Sequence, residues 1–157
     1  MGDHTETVQI DYDPSRITYD QLLEVFWNSH NPFGQTWSTQ YQNVVLFHNE
    51  AQRQLALASK ETRQARAGKK IKTRILPLNS FTLAEDYHQK YLLKQHPLKR
   101  EIRRFYPASE DLVNSTAAAR LNGYVGGYGT KIQLSREIDA LGLTKSGKKT
   151  LNKLVEK

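Results

Sequence analysis

The run Asn43-Val44-Val45-Leu46-Phe47-His48 constrains the fold more than any other stretch of this chain. It is continuously apolar over the length of a strand, so both faces need cover and a central place in a sheet is expected. Cover is close by in sequence. Asn49 is a good N-cap for a helix over residues 50–67, and Gly68 terminates it. Residues 70–78 then alternate, with Ile71, Thr73 and Ile75 on one side and Lys72, Arg74 and Leu76 on the other. Pro77 marks an edge or a strand end.

Upstream, residues 5–13 alternate as well, Val8, Ile10 and Tyr12 against Thr7, Gln9 and Asp11, until Asp13-Pro14 ends the run. This predicts a strand that is either a tucked edge strand or one that something normally precedes. Thr18 is the expected N-cap of a helix to about residue 30 with a Tyr19, Leu22, Leu23, Phe26 stripe, stopped by Asn31-Pro32-Phe33-Gly34. The polar loop 34–41 contains Trp37 and Tyr41, each read as a plug over the core or as a ligand-facing ring.

Residues 84–92 predict a short helix on which Tyr87 and Tyr91 share one face, and His88 and Leu92 share another. His88 reads as a packing residue or a chemical one. Residues 98–106 form a basic helical piece, residues 109–121 a further helix, and residues 134–141 and 146–157 two amphipathic helices. The glycine-aromatic stretch 122–129 is expected to be neither regular helix nor ordinary strand, and it lacks the spacing of a phosphate or dinucleotide loop. The order βαβαβ followed by helices predicts an α+β fold, a two-layer α/β sandwich over residues 1–97 with a helical C-terminal extension, residues 98–157, packing on the same domain.

The 157 residues include no cysteine, which removes thiolate nucleophiles, disulfides and cysteine-bound metals from the chemistry of this chain. The net charge of +7 comes largely from residues 63–74 and 145–157. Neither stretch has interleaved aromatics or a nucleic-acid module, so nucleic acid is not an expected partner. No signal-peptide pattern or membrane-length apolar run is present, and a cytoplasmic location is the default. Asp3, His4, Glu6 and Asp11 alternate too regularly for a metal site, so no metal is expected. If the first two strands are neighbours, the Glu6 carboxylic acid and the Tyr41 phenol meet at one sheet edge with Trp37 nearby. That pair suits a polar oxygen, with Glu6 as proton donor and Tyr41 as hydrogen-bond donor.

Several segments in order carry a resemblance: Gly2-Asp3-His4-Thr5-Glu6, Asp11-Tyr12-Asp13-Pro14, Leu22-Leu23-Glu24-Val25-Phe26-Trp27 with His30, Thr39-Gln40-Tyr41, His48-Asn49-Glu50, Ala84-Glu85-Asp86-Tyr87-His88-Gln89-Lys90-Tyr91-Leu92 and Asn122-Gly123-Tyr124. Over residues 2–97, and more weakly over 112–143, the chain resembles the A-type peptide-methionine (S)-S-oxide reductases. The resemblance implies the fold of that family without its first strand and helix. It also implies a reaction in which a cysteine thiolate of a Gly-Cys-Phe-Trp motif attacks the sulfoxide sulfur. A glutamate and tyrosines bind the oxygen, and thioredoxin restores the cysteine. Carried over, Glu6 matches the proton-donating glutamate and Tyr41 an oxygen-binding tyrosine. Trp37, Thr36, His88 and Tyr124 are the implied substrate-binding positions.

The departures are as informative. The Gly-Cys-Phe-Trp segment and a further pocket tyrosine would lie upstream of Gly2, Thr36 stands where many members have an aspartate, and Val125 stands at a resolving-cysteine position. The expectation is a reductase-family domain that is inactive as this chain, Met1 being a downstream start or the product of a clipped gene model. Uncovered apolar surface and weak stability would follow. No bound cofactor is expected, oxidised methionine, free or in proteins, is the implied ligand, and thioredoxin is the reductant if an active longer form exists. The alternative is a non-catalytic binder of oxidised-methionine peptides using Glu6, Tyr41 and Trp37.

Overall fold

The computed structural model describes residues 4–156, so Gly2 and Asp3 of the opening motif and the last residue of the helix predicted over 146–157 lie outside the described residues. The fold is α+β. The chain divides into two compact units, residues 1–81 and 82–157. This division precedes the sequence boundary at 97 because Leu93 shares one buried core with Leu98 and Ile102.

In the first unit, α1 (Tyr19–Asn28) starts on a capping box in which Thr18 Oγ1 accepts from the Gln21 amide and Gln21 Oε1 accepts from the Thr18 amide. Strand β1 (Val44–Phe47) pairs in parallel with β2 (Arg74–Pro77), Val45 opposite Ile75. Parallel neighbours require a crossover, supplied by α2 (Glu50–Ala67) from its Asn49 cap to Gly68 in the left-handed conformation. Leu23, Trp27, Val45, Ala56 and Ile71 form the core between helices and sheet. Trp27 Nε1 donates to Ser59 Oγ at 3.0 Å, and Arg63 on α2 reaches Glu24 and Asn28 on α1, both at 3.1 Å. These bonds lock the two helices over their buried face.

Two expectations are corrected here. Residues 5–13 form no strand, with Val8 82% and Ile10 58% exposed. The segment is held instead by single bonds, Glu6 N donating to Gln40 O at 2.9 Å and Thr5 Oγ1 to Thr39 O at 3.0 Å. Alternation needs a surface to bury one face, and Val8 and Ile10 have none among the described residues. Nor is β1 central: the described sheet has two strands, with Val45 buried on the helix side and Val44 and Leu46 half-buried on the other.

The second unit is helical: a 3-10 turn Asp86–His88, α3 (Tyr91–Gln95), α4 (Lys99–Ile102), α5 (Ser109–Asn114), α6 (Thr116–Val125), α7 (Lys131–Glu137), a 3-10 turn Ile138–Leu141 and α8 (Lys145–Val155). The single helix predicted over 84–92 is broken at Lys90, whose φ is 51°. That conformation opposes a side chain, and the Lys94 ammonium spans the break to Asp86 Oδ1 at 2.9 Å and to the Asp86 carbonyl. Tyr87 and Tyr91 therefore do not share a helix face. The helix predicted over 109–121 divides at Ser115, because its hydroxyl caps α6 by accepting from Ala118 N at 3.1 Å.

The stretch 122–129 is corrected in part. Helix α6 continues through Val125 and closes in a Schellman motif: Tyr128 N donates to Gly123 O and Gly127 N to Tyr124 O, each at 3.0 Å, with Gly127 at φ 81°. Gly129 follows because a Cβ there would lie 1.9 Å from the Tyr124 ring. At the other end of the unit the Glu101 carboxylate caps α8, taking Thr144 N on Oε2 and Thr144 Oγ1 on Oε1, both at 2.9 Å. The backbone bond from Thr144, then its hydroxyl, holds the Glu101 carboxyl below its ordinary range.

Two outcomes follow. Gly129→Ala must displace the buried Tyr124 ring, and a loss of about 1–3 kcal/mol is expected in urea unfolding. Glu101 is depressed on folding, so its contribution is present above its unfolded pKa and is lost as pH falls through the lower folded value. Glu101→Gln should flatten that acid limb in melting temperature measured against pH, while an unchanged limb would remove Glu101 from it.

Candidate functional site

The loop between α1 and β1 is shaped by its own polar side chains. Asn31 Oδ1 accepts from Phe33 N at 3.1 Å, and Ser38 Oγ accepts from Gln40 N at 3.2 Å, a pair of side-chain turns that aims residues 34–41 along the mouth of β2. Gln40 then grips Glu6 twice: its carbonyl accepts the Glu6 amide, and its Nε2 donates to Glu6 Oε1, each at 2.9 Å. The chain neighbour of Gln40 is Tyr41, 61% exposed. Glu6 is thus fixed to the residue before Tyr41 through a two-point clamp, not through the strand ladder the alternation predicts.

A second relay runs behind them. Arg74 Nη1 donates to Gln42 Oε1 at 3.0 Å, Gln42 Nε2 donates to Thr5 Oγ1 at 2.7 Å, and the Thr5 hydroxyl donates to Thr39 O. Between the 34–39 loop and the entry to β2 lies an open groove of about 440 Å³ lined by Thr36, Trp37, Lys72 and Arg74 among others. Trp37 is 93% exposed, so it is no plug over the core. Beneath the groove, Thr73 is buried. His30 Nδ1 lies 2.8 Å from Phe26 O, which can only accept, so in the neutral ring Nε2 accepts from Thr73 Oγ1 at 2.9 Å.

Within the first unit Thr36 and Trp37 line the groove, and Glu6 is bonded to Gln40, the chain neighbour of Tyr41. His88 and Tyr124 belong to the second. His88 is exposed on the 3-10 turn, 3.9 Å from Glu85 Oε2, with its ring against Tyr87. Tyr124 is a core residue, and its hydroxyl donates to Glu137 Oε1 at 2.6 Å while Arg120 pairs with Glu137 Oε2. Burial first, then the Glu137 bond, pushes the Tyr124 phenol far above its ordinary range. Gln40, Gln42 and Arg74 were not picked out as functional by sequence reasoning. The Thr39-Gln40-Tyr41 motif was the available signal for the first of them. Among the described residues, no group of three His, Asp or Glu could hold a metal ion.

A family model described as peptide methionine sulfoxide reductase matches residues 1–121. The chain belongs to this family. A second model, selenoprotein methionine sulfoxide reductase A, helical domain, matches residues 108–156, the span of α5 to α8. The chain is 41% identical to a peptide methionine sulfoxide reductase of Drosophila melanogaster over 92% of its own length and 58% of the relative's. It is 42% identical to peptide methionine sulfoxide reductase A5 of Oryza sativa over 79% of this chain and 51% of that one. With peptide methionine sulfoxide reductase MsrA 1 of Synechocystis it shares 48% identity over 60% of this chain and 46% of the relative. The chain thus spans about half the length of the curated relatives it matches. Its helices include none long and apolar enough to cross a membrane, among the described residues.

Within this family member Tyr124 is tied to its own fold. Tyr124→Phe should cost about 1.5–3 kcal/mol in urea unfolding through the lost bond to the Glu137 carboxylate. An unfolding free energy equal to that of the native chain would remove this role of the Tyr124 hydroxyl.

Proposed function

We propose that these residues carry the oxygen-binding side of a peptide methionine sulfoxide reductase, with Glu6 as the acid and Tyr41 as the hydrogen-bond donor. The observation that supports this reading is the Gln40 clamp, which ties Glu6 by backbone and side chain to the residue next to the exposed Tyr41. A sulfoxide oxygen bears high negative charge and accepts hydrogen bonds readily. Donation from Tyr41 and from protonated Glu6 polarises the sulfur–oxygen bond and makes the sulfur electrophilic. The sulfur must then be attacked by a nucleophile, and no cysteine exists among the 157 residues to supply a thiolate. As this chain, the protein binds and polarises oxidised methionine, in peptides or free, but does not reduce it.

Thioredoxin acts on a sulfenic acid or disulfide, and these residues can form neither. It is therefore the reductant only where another segment supplies the cysteine. The cytoplasm, whose thiol pool is kept reduced, is the setting that suits such a reaction.

The test is an assay and a titration on the same preparation. With dithiothreitol or thioredoxin and a methionine-(S)-sulfoxide peptide, the 157-residue chain should yield no methionine above the no-protein control. In calorimetry the sulfoxide peptide should bind more tightly than its unoxidised counterpart. Glu6→Gln and Tyr41→Phe should each reduce that preference about fivefold, the worth of one hydrogen bond. Turnover, or equal affinity for the two peptides, would overturn the reading.

A further inference from the structure

The groove, whose lining includes Thr39 and Gln42 on either side of Gln40-Tyr41, has a charge character that the sulfoxide chemistry does not use. Lys72 and Arg74 both line it, and among the described residues no carboxylate does. Each cation is steadied by a neutral amide: Lys72 Nζ donates to Gln35 Oε1 at 3.3 Å, and Arg74 Nη1 to Gln42 Oε1 at 3.0 Å. Among the described residues neither is in an ion pair. Their backbones are fixed as well, with Lys72 N donating to Pro32 O at 2.8 Å and Arg74 N to Asn43 O at 3.0 Å. Among the described residues, two positive charges therefore stand at set places with no carboxylate paired to them.

The remaining lining suits the same occupant. Thr36, Ser38 and Thr39 add hydroxyls, which can donate to an anion, and Trp37 adds an exposed ring at the same loop. The Glu6 carboxylate is directed instead to the Gln40 amide. We infer that the groove holds the acidic residues of a peptide flanking its oxidised methionine, Lys72 and Arg74 pairing with side-chain carboxylates. This selects acidic segments as the substrate class and rests on the reading of Glu6 and Tyr41 given above. A peptide fits better than a nucleic acid, because the groove offers one short pair of cations and a single exposed ring, where a nucleic acid would need a continuing basic stripe with interleaved aromatics.

Trp37 reports on the groove, since it is 93% exposed while Trp27, the other tryptophan, is 2% exposed. Tryptophan fluorescence is titrated with four peptides, carrying methionine or its sulfoxide, flanked by glutamates or by glutamines. Glutamate flanks should tighten binding about three- to tenfold at low salt, whichever the oxidation state, and 0.5 M salt should erase most of the difference. Lys72→Gln with Arg74→Gln should abolish the charge preference. Lys72→Glu with Arg74→Glu should transfer it to lysine-flanked peptides. Should a double variant fail to fold by circular dichroism, Lys72→Gln alone, on an exposed side chain, should still halve the preference. No charge preference in the native chain, or one surviving in a folded double variant, overturns the inference. So does a single-stranded oligonucleotide that displaces the acidic peptide at lower concentration than the peptide itself. In the native chain, a sulfoxide preference without a charge preference counts against the groove alone, and a charge preference without a sulfoxide preference counts against Glu6 and Tyr41 alone.

Discussion

Two parallel strands cannot be joined by a tight turn, and in the first unit that requirement falls on α2. Its passage from β1 to β2 places Ala56 against the sheet and leaves room for Trp27 and Leu23 of α1 to close the same core. The consequence reaches the site directly. Because β2 is fixed opposite β1 with Arg74 facing Val44, the Arg74 side chain stands within reach of Gln42. Gln42 in turn holds Thr5, and the 5–6 segment is thereby set against residues 39–40. Glu6 is positioned at the end of this chain of contacts by a core it does not touch.

That hierarchy explains what the sequence revealed. Elements stabilised by local rules were legible: the Thr18 cap, the Asn49 to Gly68 helix and the alternation across 71–76 need only neighbouring residues to be read. Glu6 and Tyr41 stood out as candidates in the sequence because acids and phenols announce their chemistry by type. The scaffold around Glu6 was not legible, because Gln40 and Gln42 act through long-range bonds to Glu6 and Thr5 that no periodicity encodes. The same distinction accounts for the errors. Val8 and Ile10 alternate like strand residues, but alternation says nothing about whether a partner surface exists. Lys90 takes a left-handed conformation that the helix-forming residues around it gave no reason to expect.

Tyr124 shows how a motif can survive for reasons of architecture. Its Asn122-Gly123-Tyr124 setting reads as ligand-binding by resemblance, yet each member has a structural occupation here. Asn122 Oδ1 accepts from the Leu93 amide at 3.0 Å, Gly123 supplies the carbonyl of the Schellman closure, and Tyr124 joins α6 to Glu137 on α7. Glycine at 129 is the complement of the same ring, since any larger residue would overlap it. The glycine-aromatic composition that looked like a loop is a helix end folded tightly upon an aromatic side chain.

The position of Thr36 links the charge of the groove to the divergence of the chain. The resemblance puts an aspartate at this place in many family members, and Thr36 lines the same groove as Lys72 and Arg74. A carboxylate here would sit in the mouth that two ammonium and guanidinium groups share, and at the separations a groove of about 440 Å³ allows it would offset a substantial part of their field. A threonine keeps the hydrogen-bonding capacity of the site and removes that offset. The hydroxyl can donate to a sulfoxide or carboxylate oxygen, which an ionised aspartate cannot do. Thr36 thus leaves the two cations of the groove without an acidic neighbour among the described lining residues, and the Gln40 clamp on Glu6 is made outside that lining.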